Sequence, residues 1–460
     1  MIWGPTFEEM REPALLPAAL RGRLRQVLVE RPLDPINLFN ITWKDFDGNV
    51  RHVVIPPQLS GVSATILVLI GRHFPSGSHK VGAVYSILLE KQLSREVAPG
   101  AHTLVLPSTG NYGIGGAWVG PRMGYRSLVV LPEEMSAERF EKIRGYGADV
   151  IATPGCESNV KEIFDKVKEL RRISDHRILE QFSEFGNYRF HYHVTGHSIL
   201  DLVRERARAG QGDGRVAAFV SAMGSAGTIA AGDLLKEQSE TCIVGLEPVQ
   251  CPTLYNVGYG GHRIEGIGDK HVTWIHNVLN MDYLLCIDEM DCLQGLQLLE
   301  EGHAHLAREL GIDAGRLECL SGCFGVSGIC NLLGAIQTAK LLGLGSRDTV
   351  VTIATDGFDR YPSVLRKLDT ELGPMRAEDA LRRIEIFQRA RPEQYLEGSR
   401  SVRRRWHNQK YFTWVEQQGR SLEELEAQLD PAFWQAQRER IAELDRQLLD
   451  RRGAPPDAEY

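Results

Sequence analysis

The sequence predicts an α/β protein: two open, twisted, mostly parallel sheets covered by helices, followed by a helical C-terminal extension. Three observations predict it. Short runs that are apolar on both faces recur along the chain, among them VSATILVLI (62–70), VAAFVSAMG (216–224) and DTVVTIATDG (348–357). Such runs belong to parallel strands buried on both sides. Helical patterns separate them, which is the alternation of βα units, and it continues over roughly 300 residues, more than one α/β domain requires. After about Gly373 the composition changes and no further strand-like run is evident.

The elements follow in order. Residues 15–30, rich in Leu and Arg, read as a helix, and WKDFDGNVRHVVIP (43–56) as a hairpin turning at Asp47-Gly48. HTLVLPS (102–108) is a strand ending in a Gly-rich turn, and SLVVLP (127–132) is the next strand. SAERFEKIRGYG is a helix with Ser136 as N-cap and Gly145 or Gly147 near its end. ADVIATPG is a strand, VKEIFDKVKELRRI an amphipathic helix, and CIVGLEP (242–248) a further apolar strand. HYH (191–193), read on a strand, would set two imidazoles on one face. No third ligand accompanies them, so a structural or substrate-facing role is expected. Beyond Gly373, RAEDALRRIEIFQRARPEQYLEG and SLEELEAQL read as helices. Ser421 and Glu424 form a capping box there, and Asp430-Pro431 opens another helix. The Arg400, Arg403, Arg404, Arg405 cluster reads as a solvated face or an ion-paired interface.

The 460 residues are 43% hydrophobic with a formal charge of −7. That suffices for one large or two medium cores and argues against a nucleic-acid partner, which needs a basic face. MIWGPTFEEMREP has no basic run and no long apolar stretch, so a soluble, cytoplasmic protein is expected, with no membrane partner. The eight cysteines are scattered. Cys319, Cys323 and Cys330 lie close together, but no CxxC pair or nearby HxxxH completes a zinc set, so no metal is expected.

Three glycine-rich turns follow apolar strands, where ligands bind in open α/β sheets. MGSAGTIAAG (223–232) has the form of a phosphate cup at a helix start. It is neither GxxxxGK[ST] nor GxGxxG, so neither a nucleoside triphosphate nor a dinucleotide is implied. LPSTGNYGIGGAW (106–118) sets hydroxyls and an amide beside open backbone N–H groups and suits a carboxylate, although a capped helix start explains it equally. The third turn is ATDGFDRYPS (354–363). Lys80, in FPSGSHKVGA (74–83), sits among small polar residues at the start of a helix-compatible run. With a phosphate cup and a carboxylate loop, such a lysine completes the equipment of a pyridoxal 5′-phosphate enzyme.

In order and spacing these motifs resemble the fold type II, or β-family, of pyridoxal phosphate enzymes (tryptophan synthase β-like fold), which includes cysteine synthase, cystathionine β-synthase, threonine synthase, serine/threonine dehydratase and the tryptophan synthase β subunit. SGSHKVGA resembles the cofactor-lysine motif, PSTGNYGI the substrate-carboxylate loop, GSAGTIAAG the phosphate loop. MSAERFEKIRGYGADVIATPG, FGNYRFHYHVTG, GLEP, GHRIEGIGD, FGVSGI and DRYPS recur in the family's order over about residues 65–365. HVVIPPQLSG and WHNQKYFTWVEQQG resemble a long-form subgroup with a C-terminal helical extension. The resemblance implies four parts. Residues 1–70 contribute to the large domain, and 71–195 form a smaller α/β domain with the lysine and the carboxylate loop. Residues 196–370 form the larger domain with the phosphate loop, and 371–460 the extension.

The resemblance further implies that Lys80 is the Schiff-base lysine and catalytic base, with His79 beside it. Ser108, Thr109, Gly110, Asn111 and Tyr112 would surround the substrate carboxylate, Asn111 also near the cofactor's 3′-oxygen. Gly224, Ser225, Ala226, Gly227 and Thr228 would hold the phosphate, Ser225-Ala226 standing where cysteine synthase commonly has Thr-Gly. At the pyridine nitrogen the reading leaves Thr355 and Asp356. Thr355 is preferred, because an inward Asp356 would be a charge buried without a certain cation partner, and Asp356 then caps the following turn. The implied reaction acts at the β-carbon of an amino acid through an aminoacrylate: β-replacement on O-activated serine or cysteine, with sulfide or another small nucleophile. The alternative is β-elimination of the serine/threonine dehydratase or cysteine desulfhydrase type. A non-catalytic cofactor- or partner-binding protein is a more distant one. A homodimer is the expected assembly.

Overall fold

The computed structural model describes residues 3–108, 110–155 and 160–453. Its strands are β1 (His52–Val54), β2 (Thr65–Ile70), β3 (Thr103–Pro107), β4 (Arg126–Pro132), β5 (Asp149–Thr153) and β6 (His176–Ile178). The later part of the chain adds β7 (Ala218–Ala222), β8 (Cys242–Pro248), β9 (Tyr283–Ile287), β10 (Thr349–Ala354) and β11 (Tyr395–Glu397). They form a four-stranded sheet, β5-β4-β3-β6, and a seven-stranded sheet, β1-β2-β10-β7-β8-β9-β11. The smaller sheet is wholly parallel. The larger is parallel through β2, β10, β7, β8 and β9, with antiparallel strands at both edges. The α/β reading of the sequence therefore holds.

Strand β2 shows why its sequence is an unbroken apolar run. Leu67 and Leu69 point into one core, shared with the helix Lys80–Leu93. Ile66, Val68 and Ile70 point into another, shared with the helices Glu289–Glu301 and Val326–Leu341. Successive side chains face opposite ways, so a strand covered on both faces has no polar position. Strand β10 repeats this, with Val351 and Ile353 on one side and Val350 and Ala354 on the other.

Four local readings change. The hairpin at Asp47-Gly48 closes with one bridge, Lys44 to Val50, and Asp45 organises it by accepting the N–H groups of Asp47 and Asn49. Ser136 precedes the helix Ala137–Gly145 but does not cap it; its hydroxyl donates to Glu265, 3.3 Å away. HYH is not on a strand. It forms a π-helical turn, His191–Thr195, continuing the helix Phe185–Phe190 into Gly196–Arg208. Its two imidazoles diverge, His191 onto the His79 ring and His193 onto Glu8. The aromatic alternation there reflects helix burial on several sides, which a period of two mimics. A strand also follows Gly373. The helix ends at Gln388, and Tyr395–Glu397 pairs antiparallel with β9. It covers the edge of the large sheet through backbone pairing, which leaves no apolar pattern to read.

The rest of the extension is helical: the helix Pro431–Gly453 packs on Lys80–Leu93 and Phe185–Phe190, while residues 403–428 dock on a long, mostly irregular segment, residues 249–282. Trp406 and Trp414 donate their indole N–H groups to the carbonyls of Leu254 and Val272, at 3.1 and 2.8 Å. Lys410 is fully buried; its ammonium donates to the carbonyls of Trp274 and His276 and to Gln428 Oε1. Of the arginine cluster, Arg403 pairs with Asp282 and Arg405 donates to the Tyr255 carbonyl, while Arg400 and Arg404 are exposed. The capping box at Ser421 and Glu424 is present. No helix among the described residues is long and apolar enough to cross a membrane.

The helix Lys80–Leu93 sits deep because Phe185–Phe190 approaches it at a glycine. A Cβ on Gly186 would lie 2.8 Å from Ile87 N and Cα, both backbone. Gly186→Val should therefore force the two helices apart and destabilise the fold by about 3 kcal/mol, the scale of an overpacked core. The check is the urea midpoint; a midpoint unchanged from the parent protein would refute this packing.

Candidate active site

The first turn of the helix Lys80–Leu93 lies along the C-terminal end of β10. Ser78 bridges Asp356, and the His79 N–H reaches the Thr355 carbonyl at 3.3 Å. This places Lys80, 8% exposed, with its amine donating to Ser225 Oγ at 3.0 Å. Ser225 belongs to the turn between β7 and the helix Ala231–Gln238, so the lysine is joined to the Gly224–Thr228 loop. Asn187 holds Ser225 from a third side: its Nδ2 donates to Ser225 Oγ at 3.0 Å and to the Gln181 carbonyl at 2.9 Å.

The turn itself is strained. Ala226 has φ +57°, the left-handed region that side chains resist, while the following Gly227 has φ −66°. Glycine at 227 is needed for a different reason: a Cβ there would run into the Asn187 side chain. The left-handed and right-handed pair gathers successive N–H groups into an anion-binding concavity. Among the described residues, the N–H groups of Gly224, Ser225, Ala226 and Gly227 meet no acceptor.

Across from this loop, β3 leads into the helix Asn111–Arg122. Ser108 is occupied as the organiser of its own turn, its Oγ accepting the N–H groups of Gly110 and Gly113 at 2.9 and 2.7 Å. Thr109 lies outside the described residues. Gly110 packs on the Arg139 guanidinium. The buried Tyr112 hydroxyl lies near the Glu180 and Glu184 carboxylates, and burial drives it well above its usual range. Asn111 donates to Asp356 Oδ2 at 2.6 Å.

Asp356 thus does not cap a surface turn. It is fully buried and also accepts from the Tyr361 hydroxyl at 2.9 Å. The cations that sequence left uncertain are Arg139 and Arg360, 3.8 and 4.0 Å from the same carboxylate oxygen. Arg139, also fully buried, donates to Glu265 Oε2 at 2.5 Å and to Tyr361 OH at 2.8 Å. Burial pushes the Glu265 carboxyl up while Arg139 pulls it down. Two carboxylates and two guanidiniums balance, which makes this burial tolerable. Thr355, by contrast, turns its hydroxyl to His79 Nε2 at 3.3 Å. Burial drives His79 and His191 well below the usual imidazole range, so both are neutral at neutral pH.

Sequence reasoning assigned no role to four residues that the fold brings here. A Cβ built on Gly266 would lie 3.8 Å from Ser327 Oγ and 3.9 Å from Asn111 Nδ2, so all three face one space. Ser327 Oγ and Asn111 Oδ1 are buried and meet no hydrogen-bond partner among the described residues. Asn187 and Asp269 complete the set. The only signal for Ser327 was a small polar residue opening an apolar helix, in FGVSGI; Asp269 stands in an irregular segment that no periodicity marks.

Residues 58–356 match the family described as Pyridoxal-phosphate dependent enzyme. Cysteine synthase of Staphylococcus aureus (strain N315) is 30% identical over 338 residues, covering 73% of this chain and 97% of that protein. Cysteine synthase B of Escherichia coli (strain K12) is 30% identical over 291 residues, covering 63% of this chain and 84% of that one. Among solved structures, O-acetylserine sulfhydrylase isoform 3 from Entamoeba histolytica superposes with a TM-score of 0.58 at 24% identity, covering 72% and 92% of the two chains, a likeness of fold alone. The O-acetylserine dependent cystathionine β-synthase from Helicobacter pylori gives 0.55 at 25% identity, covering 68% and 94%.

The left-handed Ala226 makes a specific expectation. Ala226→Gly should relieve about 1 kcal/mol of backbone strain and raise the thermal midpoint by a degree or two. An unchanged or lower midpoint would mean that this turn is not strained.

Proposed function

The chain belongs to the pyridoxal-phosphate dependent enzyme family, and from that premise we propose that it catalyses replacement at the β-carbon of an O-activated serine, with sulfide as the nucleophile. The observation that carries this reading is the buried Lys80 amine held at 3.0 Å from the Ser225 hydroxyl of the anion-binding turn, with Asn111 across the same space. The cysteine synthase relatives favour replacement over elimination. A buried lysine placed in this way argues against a purely binding protein.

The residues present fit pyridoxal 5′-phosphate. The unaccepted N–H groups of 224–227 suit a phosphate, and the unpartnered Ser327 Oγ and Asn111 Oδ1 suit the polar atoms of a pyridine ring. When bound, the cofactor supplies an aldehyde for amines and a ring that draws electrons from the substrate's α-carbon. Lys80 holds it through its amine, Gly224, Ser225, Ala226, Gly227 and Thr228 through its phosphate, and Asn111 at its hydroxyl-bearing edge. With Thr355 bonded to His79 and Asp356 to Asn111 and Tyr361, the hydroxyl left for the ring nitrogen is that of Ser327. The start of the helix Asn111–Arg122 receives the substrate carboxylate, where helical N–H groups have no intrahelical acceptor. Lys80 Nζ, once released, takes the proton from the α-carbon.

We take residues 71–195 and 196–370 as the two α/β units that meet here, with 1–70 joined to the second. Cytoplasmic location and homodimeric assembly belong to the same reading. The seven cysteines among the described residues are all free thiols, as in a reducing compartment, and the dimer rests on the family resemblance.

Purified protein should show a visible cofactor band that borohydride bleaches, and should form cysteine from O-acetylserine and sulfide. Lys80→Ala should lose both the borohydride-sensitive band and at least about 1,000-fold in turnover. Ser327→Ala should keep the band but weaken cofactor affinity about tenfold, the loss of one hydrogen bond of about 1–1.5 kcal/mol. Full turnover in Lys80→Ala would reject the site, and a bound cofactor with no replacement on any O-activated serine would reject the reaction.

A further inference from the structure

Asp269 has no part in the chemistry above, yet the fold ties its segment to the Ser225 turn. It lies on the irregular segment tied to the anion-binding turn on both sides. The Gly268 N–H donates to the Met223 carbonyl at 2.9 Å, and Thr273 Oγ1 donates to the Ser225 carbonyl at 3.0 Å. Thr253 Oγ1 fixes the carbonyl of Asp269 itself at 2.9 Å. The side chain is buried, 7% exposed, and its Oδ1 meets no hydrogen-bond donor among the described residues.

Asp356 Oδ1 and Glu180 Oε1 are likewise buried without a partner among the described residues, but each of those carboxylates is held through its second oxygen, Asp356 by Asn111 and Tyr361 and Glu180 by Ser183. Asp233 accepts from Tyr188, Asn277 and Asn280, and Glu247 from the N–H groups of Leu254 and Tyr255. A buried carboxyl left without donors is costly and persists where a site uses it. Burial pushes the Asp269 carboxyl up to about 7, while the nearby Lys80 ammonium pulls it down. The other titratable groups about it are Cys251, which burial chiefly pushes up and the carboxylate pushes slightly further, and its chain neighbours Lys270 and His271. Burial lowers His271 to about 4, so that ring is neutral when Asp269 titrates.

We propose that Asp269 is a second proton-transfer group, serving the incoming nucleophile as Lys80 serves the α-carbon. This rests on the replacement reading and widens its substrate class from hydrosulfide to neutral thiols. The S–H bond breaks and its electron pair forms the new bond to the β-carbon. The proton goes to the Asp269 carboxylate. The bond from the β-carbon to the leaving oxygen breaks, its pair departing with that oxygen, and the proton follows to the leaving group or to solvent. Thiol and O-activated serine become thioether and free acid, with no oxidant or reductant.

The test compares the holoenzyme with Asp269→Asn and Asp269→Glu, using O-acetylserine with 2-mercaptoethanol or with hydrosulfide, which is already largely an anion at about pH 8. Asp269→Asn should lose about 100-fold with the thiol, the scale of general base catalysis, and at least about tenfold less with hydrosulfide. The acidic limb near pH 7 of the thiol profile should disappear. Asp269→Glu should restore part of both.

A second readout does not use activity. The folded pKa, about 7, lies above the unfolded value of about 3.9. The folded chain therefore holds a proton that the unfolded chain has released, and this carboxyl costs stability increasingly as pH rises from about 4 to 7. The thermal midpoint of Asp269→Asn relative to the parent should accordingly be higher at about pH 8 than at about pH 5. Equal losses on both nucleophiles with the limb intact, or a midpoint difference independent of pH, would overturn the proposal. A parent holoenzyme that uses neither nucleophile would overturn the replacement reading, and this role with it.

Discussion

Everything in this molecule is arranged around an ammonium group that has to be buried at a point shared by two sheets. Removing such a cation from water is costly unless oxygens replace the lost hydration. Here Lys80 donates to Ser225 Oγ, and Asn187 fixes that oxygen from another helix. The lysine must also arrive from a helix sunk deep in the protein, which the close contact at Gly186 permits. The small sheet supplies the Asn111 turn and the large sheet the Ser225 turn. Neither sheet alone contains the site.

The second organising element is the buried network of Arg139, Glu265, Tyr361, Arg360 and Asp356. It ties the helix after β4 to the segments after β8 and β10 and ends on the Asn111 amide. Its net charge is balanced. Removal of any one charged member would leave a buried charge uncompensated, a larger loss than the network's own net contribution to stability. Its value is orientation: it fixes which way Asn111 faces.

How much of this was legible follows from where each residue sits. Strands buried on both faces announce themselves as apolar runs, so β2, β3, β4, β7, β8 and β10 were readable, and glycine-rich turns after them marked the Lys80, Asn111 and Ser225 regions. Strand β11 was not readable, because backbone pairing at a sheet edge makes it rather than side-chain burial. Asp356 was misjudged for lack of a partner: its cations, Arg139 and Arg360, come from a distant helix and from the residue four positions on, and only the fold brings them together. Asn187, Ser327 and Asp269 carry no periodic signal. Their importance is a matter of tertiary proximity.

The C-terminal extension has a consequence for the order in which this protein can mature. Trp406, Lys410, Trp414 and Gln428 grip the carbonyls of residues 254–276, the stretch that holds Gly266 and Asp269 in place. Those grips are made by residues that follow both sheets in the chain. Both sheets, except for the edge strand β11, are encoded upstream of the extension and are free to assemble during synthesis, as domains generally do. The wall of the site that bears Asp269 acquires these supports only once residues 406–428 have been made and docked. The nascent chain can thus have a folded core before the wall of its active site is braced, and the site around Lys80 is finished by residues about 330 positions downstream of it.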